Sequence, residues 1–389
     1  MSSLLHSPRR VIVAFAAVAA ALAISACGSS GSSSSSSGGA GSQSSSSSSA
    51  ALKAAKAQIA KYSSIPKFKA PGPSVAAAKL SGKKILVVDN DQVAQELVTI
   101  NQGVTQAAAA AHISVSFFNG QDTLSTDQQG IQQGINQKVS AIILDGVDPA
   151  LVPASLKAAK AAGIPIIAAT LGTTKDNPDV FGLSSPNYVL TGQLMADAAL
   201  VGTNGAKITA DVVQFTNPTV PEAISGIKSV FSKCSSSCTI SKSVTIEPQD
   251  WPTKVAPAVV ADVKANPDVN VIFGVIDDTM GNFAATGVKE AAVTNVKVIA
   301  GQGSGPAPLA TVQQGGAYYA DPGQSALWTG WGAVDQAMRG MLGMAPGTDV
   351  TPVRYLDATV LKGVNVKDST ALYGDSYVAG FKSLWGLGG

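Results

Sequence analysis

Histidine is almost missing from this chain: His6 and His112 are the two in 389 residues. His112 falls between a small-residue helical stretch and an apolar run, where a lone imidazole is ordinarily solvated. Acid/base triads built on histidine, and mixed Cys/His zinc sites, need more than this. Arginine is nearly as scarce, with Arg9, Arg10, Arg339 and Arg354 alone. No basic patch with interleaved aromatics stands out, so no nucleic-acid partner is expected. Cysteine is limited to Cys27, Cys234 and Cys238. Too few soft ligands remain to complete a metal site, and neither a metal nor any other cofactor is expected. G-x-G-x-x-G is absent after the first apolar run, which argues against a dinucleotide enzyme. Adjacent Asp277 and Asp278, on a strand-to-helix turn, would not both aim across one glycosidic bond. No catalytic residue is expected.

What is present begins with an export signal. Arg9 and Arg10 precede an uncharged apolar run from Val11 to about Ile24, closed by Ser25-Ala26-Cys27. Positive flank, short apolar core and small-residue junction are the order of a secretory leader. The run is short for a bilayer span, so a retained membrane helix is the weaker reading. A cysteine directly after Ser25-Ala26 resembles the bacterial lipobox, whose thiol takes a diacylglycerol and becomes the new N-terminus. A plain signal peptide with an incidental cysteine is the alternative. The resemblance implies a signal peptide over 1–26 and a lipid bilayer held through acylated Cys27, on the extracytoplasmic face of the cell membrane. Cleavage there leaves 25 basic against 25 acidic residues. In an oxidising compartment Cys234 and Cys238, separated by three serines, are expected to pair and pin a local turn. Two free thiols or a metal pair are the alternatives.

Residues 28–50 are almost entirely Ser and Gly, a composition that stays a flexible coil. Ala51 to Tyr62 reads as a short helix rich in Ala and Lys, so 27–80 is taken as a lipid-anchored tether. From Lys83 the pattern changes to alternating strands and helices. Apolar runs recur at Ile85–Val88, Ser114–Phe118, Ala141–Leu144 and Pro165–Ala169, then at Ala210–Phe215, Val244–Ile246, Val271–Val275, Val296–Ala300 and Ala317–Ala320. Continuous apolar strands between amphipathic helices argue for parallel sheets covered on both faces. About 300 residues suits two such cores better than one. The fold class is therefore α/β, with two doubly wound lobes and ligand contacts beyond the strands' C-terminal ends.

Five segments carry a resemblance to the type I periplasmic binding proteins of the ribose and simple-sugar kind, over about Lys83 to Val360. They are KKILVVDND, AIILDGVDPALVPASLKAAKAAGIPIIAA, FGLSSPNYVLTGQLMAD, NPDVNVIFGVIDDTMGNFAATGVKEAA and VKVIAGQGSGPAPLATVQQGGAYYADPGQSA. The resemblance implies a clamshell joined by three crossings, near Ser184–Pro186, Asp321–Gly323 and Thr351–Leu356. Lobe 1 would be 81–185 plus 322–352, and lobe 2 would be 186–321 plus 353–389.

It also implies contact positions. Asp91, Gln92 and Glu96 follow the first strand, though short polar residues there also cap helices. Asp145 ends AIILD, and Thr170 stands where sugar-binding relatives show Asp followed by Arg. Asn217 and Glu222 come after the first strand of lobe 2, again without the family's arginine. Trp251 matches a stacking position, with a tryptophan shielding the lobe core the alternative. Asp277, Asp278, Gln302 and Asp321 complete the set, with helix capping the alternative for the adjacent pair. Carboxylates and amides without arginine suit a neutral polyol and leave an anion without its counter-charge.

The expected function is solute capture for an ABC importer by a monomeric lipoprotein, with a small-molecule ligand and a membrane permease as partners. A ligand-presenting sensor for a membrane receptor, or a binder of a cationic amine or nucleoside, is the alternative.

Overall fold

The computed structural model describes residues 40–171, 177–276, 278–303, 305–348 and 350–388. The signal segment, Cys27 and Asp277 lie outside them.

Ile85 and Val87 point to one side of the first strand, Leu86 and Val88 to the other, and all four are fully buried. A strand covered on both faces has no polar alternation to display, which is why these runs read as continuously apolar. Helix α1 (Ala40–Tyr62) comes first. Lobe 1 then takes β1 (Lys84–Asp89), α2 (Gln95–Ala110), β2 (Ser114–Asn119), α3 (Leu124–Gln137), β3 (Ala141–Asp145), α4 (Pro153–Ala161), β4 (Ile166–Ala169) and β5 (Gly182–Pro186). Lobe 2 follows with α5 (Tyr188–Gly202), β6 (Ile208–Gln214), α6 (Val220–Phe231), β7 (Cys238–Thr245), α7 (Trp251–Ala265) and β8 (Val271–Gly274). It ends with α8 (Asp278–Glu290), β9 (Lys297–Ala300), α9 (Pro306–Gln314) and β10 (Tyr318–Ala320). The chain returns through β11 (Gly323–Gln324), α10 (Ala326–Met341), β12 (Val350–Thr351), β13 (Val353–Arg354), α11 (Ser369–Tyr373) and α12 (Ser376–Leu384).

Lobe 1 is a parallel sheet in the order β12-β5-β4-β3-β1-β2, and lobe 2 a parallel sheet in the order β10-β9-β8-β6-β7. Antiparallel β11 and β13 form a separate ribbon, and the three crossings fall at β5 to α5, β10 to β11 and β12 to β13. The lobes repeat one packing device. Gly103 and Gly330 let α2 and α10 touch backbone to backbone, and Gly192 and Gly226 do the same for α5 and α6. A Cβ at any of the four would strike a carbonyl oxygen.

Four features differ from expectation. Helix α1 starts at Ala40, eleven residues ahead of the expected Ala51 and inside the Ser-rich run. Its C-terminal half is docked on lobe 2 through Ala51 and Ala55, and extending an established helix is far easier than nucleating one. Residues 63–80 are likewise built into the body. Tyr62 O accepts from Tyr355 N at 2.8 Å, Ser63 O from Arg354 Nε at 2.9 Å, and Pro73 O from Arg339 Nη2 at 3.0 Å. Val75 and Leu80 then enter the core of lobe 1. This strap is a fourth link between the lobes, and both arginines of the body fasten it.

The C-terminus is divided rather than assigned to lobe 2. Leu372 and Tyr373 of α11 lie in a lobe 2 core, but Tyr377, Phe381 and Trp385 pack with Trp331 in lobe 1. Trp331 and Trp385 stack with centroids 5.4 Å apart, and Trp385 Nε1 donates to Asp335 Oδ1 at 2.7 Å.

Strand β7 runs from Cys238, well before the expected Val244. It is an edge strand exposed along most of its length, so its first residues, Cys238 to Ser243, show no apolar run. The expected Cys234–Cys238 disulfide is present, and both residues are buried in the lobe 2 core.

Candidate functional site

Parallel register puts Asp89 at the end of β1 directly beside Asp145 at the end of β3. Both are fully buried. Asp89 Oδ2 accepts from Asn101 Nδ2 at 2.5 Å, while neither carboxyl oxygen of Asp145 has a hydrogen-bond partner among the described residues. Burial, reinforced by Asp89 and Glu96, pushes the Asp145 carboxyl well above the usual range. Burial also pushes Asp89 up to about 6, against the Asn101 bond that favours its charge.

The lobes meet at Glu96, in the first turn of α2. Its Oε2 accepts from Gln302 Nε2, on lobe 2, at 2.7 Å, and its Oε1 accepts from Gln324 Nε2, on the crossing ribbon, at 3.1 Å. Tyr188, the first residue of α5, donates its hydroxyl to Thr170 O at 3.0 Å. Burial raises the Tyr188 pKa, and the negative charges of Glu96, Glu222 and Asp145 add to the shift. On the lobe 2 side the Tyr318 hydroxyl lies 2.9 Å from Asp321 Oδ2 and 3.0 Å from Asp278 O. Tyr373 donates to Gly303 O at 2.7 Å, and after burial its raised pKa reflects Asp321 and Asp278. Asp278 Oδ2 accepts from Gly305 N at 2.5 Å and so holds the entry to α9.

Backbone strain gathers at the same strand ends. Thr170 after β4 has φ 68°, Ile276 after β8 has φ 56°, and Gln302 after β9 has φ 85°. β-Branched residues seldom adopt positive φ, and such outliers persist where the surroundings over-determine them, often at ligand sites.

Of the expected contacts, Glu96, Asp145, Thr170, Glu222, Gln302, Asp278 and Asp321 fall in this interlobe region. Two others have local work. Asp91 Oδ1 accepts from Val93 N at 2.7 Å and closes the turn into α2. Asn217 Oδ1 accepts from Thr219 N at 3.0 Å and from its hydroxyl at 2.6 Å, closing the turn into α6. Exposed Gln92 lines a groove of about 590 Å³ beside α2 and β2.

Trp251 corrects the stacking expectation. Trp251 is 8% exposed, and its ring packs edge-to-face on Phe215 at 5.3 Å and donates Nε1 to Ile246 O at 2.8 Å. With both its apolar face and its N–H satisfied inside lobe 2, it is a core residue. The aromatics close to the carboxylates are Tyr188, Tyr318 and Tyr373, which the sequence reading missed. The one available signal was Tyr188, directly after the Ser184–Pro186 crossing.

Among the described residues no group of three or more His, Cys, Asp or Glu could hold a metal ion. Buried acceptors, tyrosine hydroxyls and amides at the meeting of two lobes make a site that can bind hydrogen-bond donors.

Residues 85–343 match the periplasmic binding protein domain. No curated protein matches the sequence. Among solved structures, an ABC transporter solute-binding protein of Agrobacterium vitis, bound with α-D-tagatopyranose, shares 21% identity at a TM-score of 0.62, covering 73% of this chain and 98% of its own. The Caulobacter myo-inositol binding protein, bound to myo-inositol, shares 18% at 0.63, covering 72% and 95%. A 5-methylthioribose solute-binding protein of Thermotoga lettingae shares 16% at 0.65, covering 79% and 99%. The family match and the two parallel-sheet lobes agree: the chain belongs to the periplasmic binding protein domain family, solute-binding proteins of the type I fold rather than enzymes.

Proposed function

We propose that this protein captures a small neutral sugar or polyol between its lobes and delivers it to an ABC permease, as a monomer held at the extracytoplasmic face by acylated Cys27. The observation that carries the ligand reading is Asp145. A buried carboxyl group without partners costs free energy unless something supplies them. A polyol hydroxyl can accept from the protonated acid or donate to the ionised one. Tagatopyranose, myo-inositol and 5-methylthioribose, bound by the similar structures, are all neutral and hydroxyl-rich.

A thermal-shift screen of the chain from Gly28 onward, against sugars, polyols, amines and nucleosides, tests this. A ligand at a hundredfold excess over its Kd stabilises by about 2.7 kcal/mol. A screen in which only phosphorylated or carboxylated compounds respond would overturn the reading.

The crowding of Asp89, Glu96 and Asp145 favours one second reading, an amine-bearing ligand. The two readings separate by pH. An ammonium group needs Asp145 ionised, so its binding releases a proton and tightens as pH rises. A neutral polyol accepting from the protonated acid shows no such tightening. Calorimetry in buffers of different ionisation enthalpy reads the proton directly.

A further inference from the structure

Charge runs in one direction along this chain. All 25 acidic residues lie at or beyond Asp89, and from there on they face 17 basic ones. Residues 40–88 hold eight lysines and no acid: Lys53, Lys56, Lys61, Lys67 and Lys69, then three more before Asp89. Overall near-neutrality conceals a segment of eight positive charges joined to a body with eight negative ones in excess.

The structure lays this segment along the outside of the body. Helix α1 buries Ala51 and Ala55 against lobe 2, with Leu52, Ile59 and Tyr62 partly covered, so its lysines lie on the outward side. All eight lysines are exposed, and none enters an ion pair among the described residues. The strap beyond α1 is held by Tyr62 O, Ser63 O and Pro73 O, and Pro71 O accepts from Thr348 N at 2.8 Å. Its charges are therefore fixed on the body. Ile65, 46% exposed, stands between Lys61 and Lys67.

We propose that this lysine face is a docking surface for an anionic lipid bilayer. Complementary charge supplies the attraction, since basic residues beside an anionic leaflet each gain appreciable binding. An exposed isoleucine among lysines suits the boundary between headgroups and acyl chains. Single-stranded nucleic acid fits less well, because it needs free aromatic faces. Phe68 is instead packed on Phe381 and Trp328, and Tyr62 against lobe 2. The bilayer as the surface at hand rests on the lipoprotein reading, in which Cys27 precedes α1 by thirteen residues. One lipid anchor and one polybasic patch together hold a protein at a membrane more durably than either alone. Because the strap bonds to both lobes, a bilayer that holds it holds both.

The test is sedimentation of the unacylated chain from Gly28 onward with vesicles. One set is phosphatidylcholine alone, and the other contains about 30 mol% phosphatidylglycerol. Binding is expected only to the anionic set and is expected to vanish at about 0.5 M salt. Replacing Lys53, Lys56, Lys61, Lys67 and Lys69 by Gln should weaken it on the order of a hundredfold or more, each lysine being worth roughly fivefold. Replacing the equally exposed Lys138, Lys157, Lys207, Lys264 and Lys289 by Gln makes the same change in net charge and should leave most of the binding. Both variants should melt with the parent. Equal binding to neutral vesicles, equal losses in the two variants, or binding to soluble polyphosphate but not to vesicles would each overturn the proposal. The sample carries no acyl group, so the outcome does not depend on whether Cys27 is lipidated.

Discussion

Asp335 and Asp145 are both fully buried in lobe 1, yet their surroundings differ in every respect that matters. Asp335 Oδ2 takes Arg339 Nε at 2.6 Å, and its Oδ1 takes Trp385 Nε1 at 2.7 Å. Arg339 in turn reaches Pro73 O, so one carboxylate ties α10, the C-terminal helix and the N-terminal strap together. Asp145 has no hydrogen-bond partner among the described residues and two acidic neighbours. A buried acid that is fully satisfied belongs to the architecture. One left bare at the ends of parallel strands is the group that the proposed ligand would satisfy.

The largest effects should come from the satisfied side. Asp335→Ala strands the buried guanidinium of Arg339 and should cost about 3–5 kcal/mol of folding stability, read by urea denaturation. Ligand affinity of the protein that remains folded should hold. Trp251→Ala belongs with it, because the ring fills the lobe 2 core. About 3–5 kcal/mol of stability should go, and calorimetry should find binding close to the parent. A selective loss of affinity in Trp251→Ala would break the comparison by returning the indole to the site.

Asp145→Asn should act with the opposite sign. It removes an ionisable group from a place that penalises its charge, so stability should hold or rise. Affinity should fall by about 1 kcal/mol, as ligand hydroxyls exchange a carboxylate that can carry charge for a neutral amide. The pH dependence sharpens this. Asp145 binds its proton more tightly folded than unfolded, so its stabilisation is complete below the usual carboxylate range and is lost as pH rises through the folded value. Asp89 and Asp127, both pushed up to about 6 chiefly by burial, add to the same slope. The unliganded protein should therefore lose stability as pH climbs from about 4 through 6 and beyond, and Asp145→Asn should flatten the curve. Melting curves across that range check it; identical slopes in parent and variant would remove Asp145 from the account.

Legibility in the sequence followed the locality of the physics. Strands buried on both faces announce themselves, as Ile85–Val88 and Ala141–Leu144 did, because burial needs only the residues themselves. Edge strand β7 did not, since most of it faces water. The seat of α12 depends on Trp331, more than fifty residues before Trp385 in the chain, and no local pattern carries that. The position of Asp145 at the end of β3 was legible because a carboxylate ending an apolar run is conspicuous. Trp251 was misplaced because an aromatic at a helix entry reads alike whether it faces ligand or core. Tyr318 and Tyr373 reach the site through crossings whose geometry exists only after folding. The lysine face went unseen because net charge sums over the chain, and the strap's positive charges cancelled against the body's acids.

Gln302 offers the smallest effect and the most direct probe of contact between the lobes. Its amide leaves lobe 2 and meets Glu96 of lobe 1 at 2.7 Å, from a backbone held at φ 85°. Alanine would confuse two effects, since it would suffer the positive φ as well as lose the amide. Asparagine tolerates that conformation and keeps the amide, but is one methylene shorter and cannot span the same gap. Gln302→Asn therefore isolates the interlobe bond. Such a bond contributes about 0.5–1.5 kcal/mol net, so affinity should fall severalfold while the melting temperature of the unliganded protein stays put. Small-angle scattering should show the unliganded variant at least as open as the parent. If stability drops as much as affinity, Gln302 belongs with Asp335 as part of the architecture. If neither moves, the lobes are held at this edge by the crossings alone, and Glu96 answers to the ligand rather than to lobe 2.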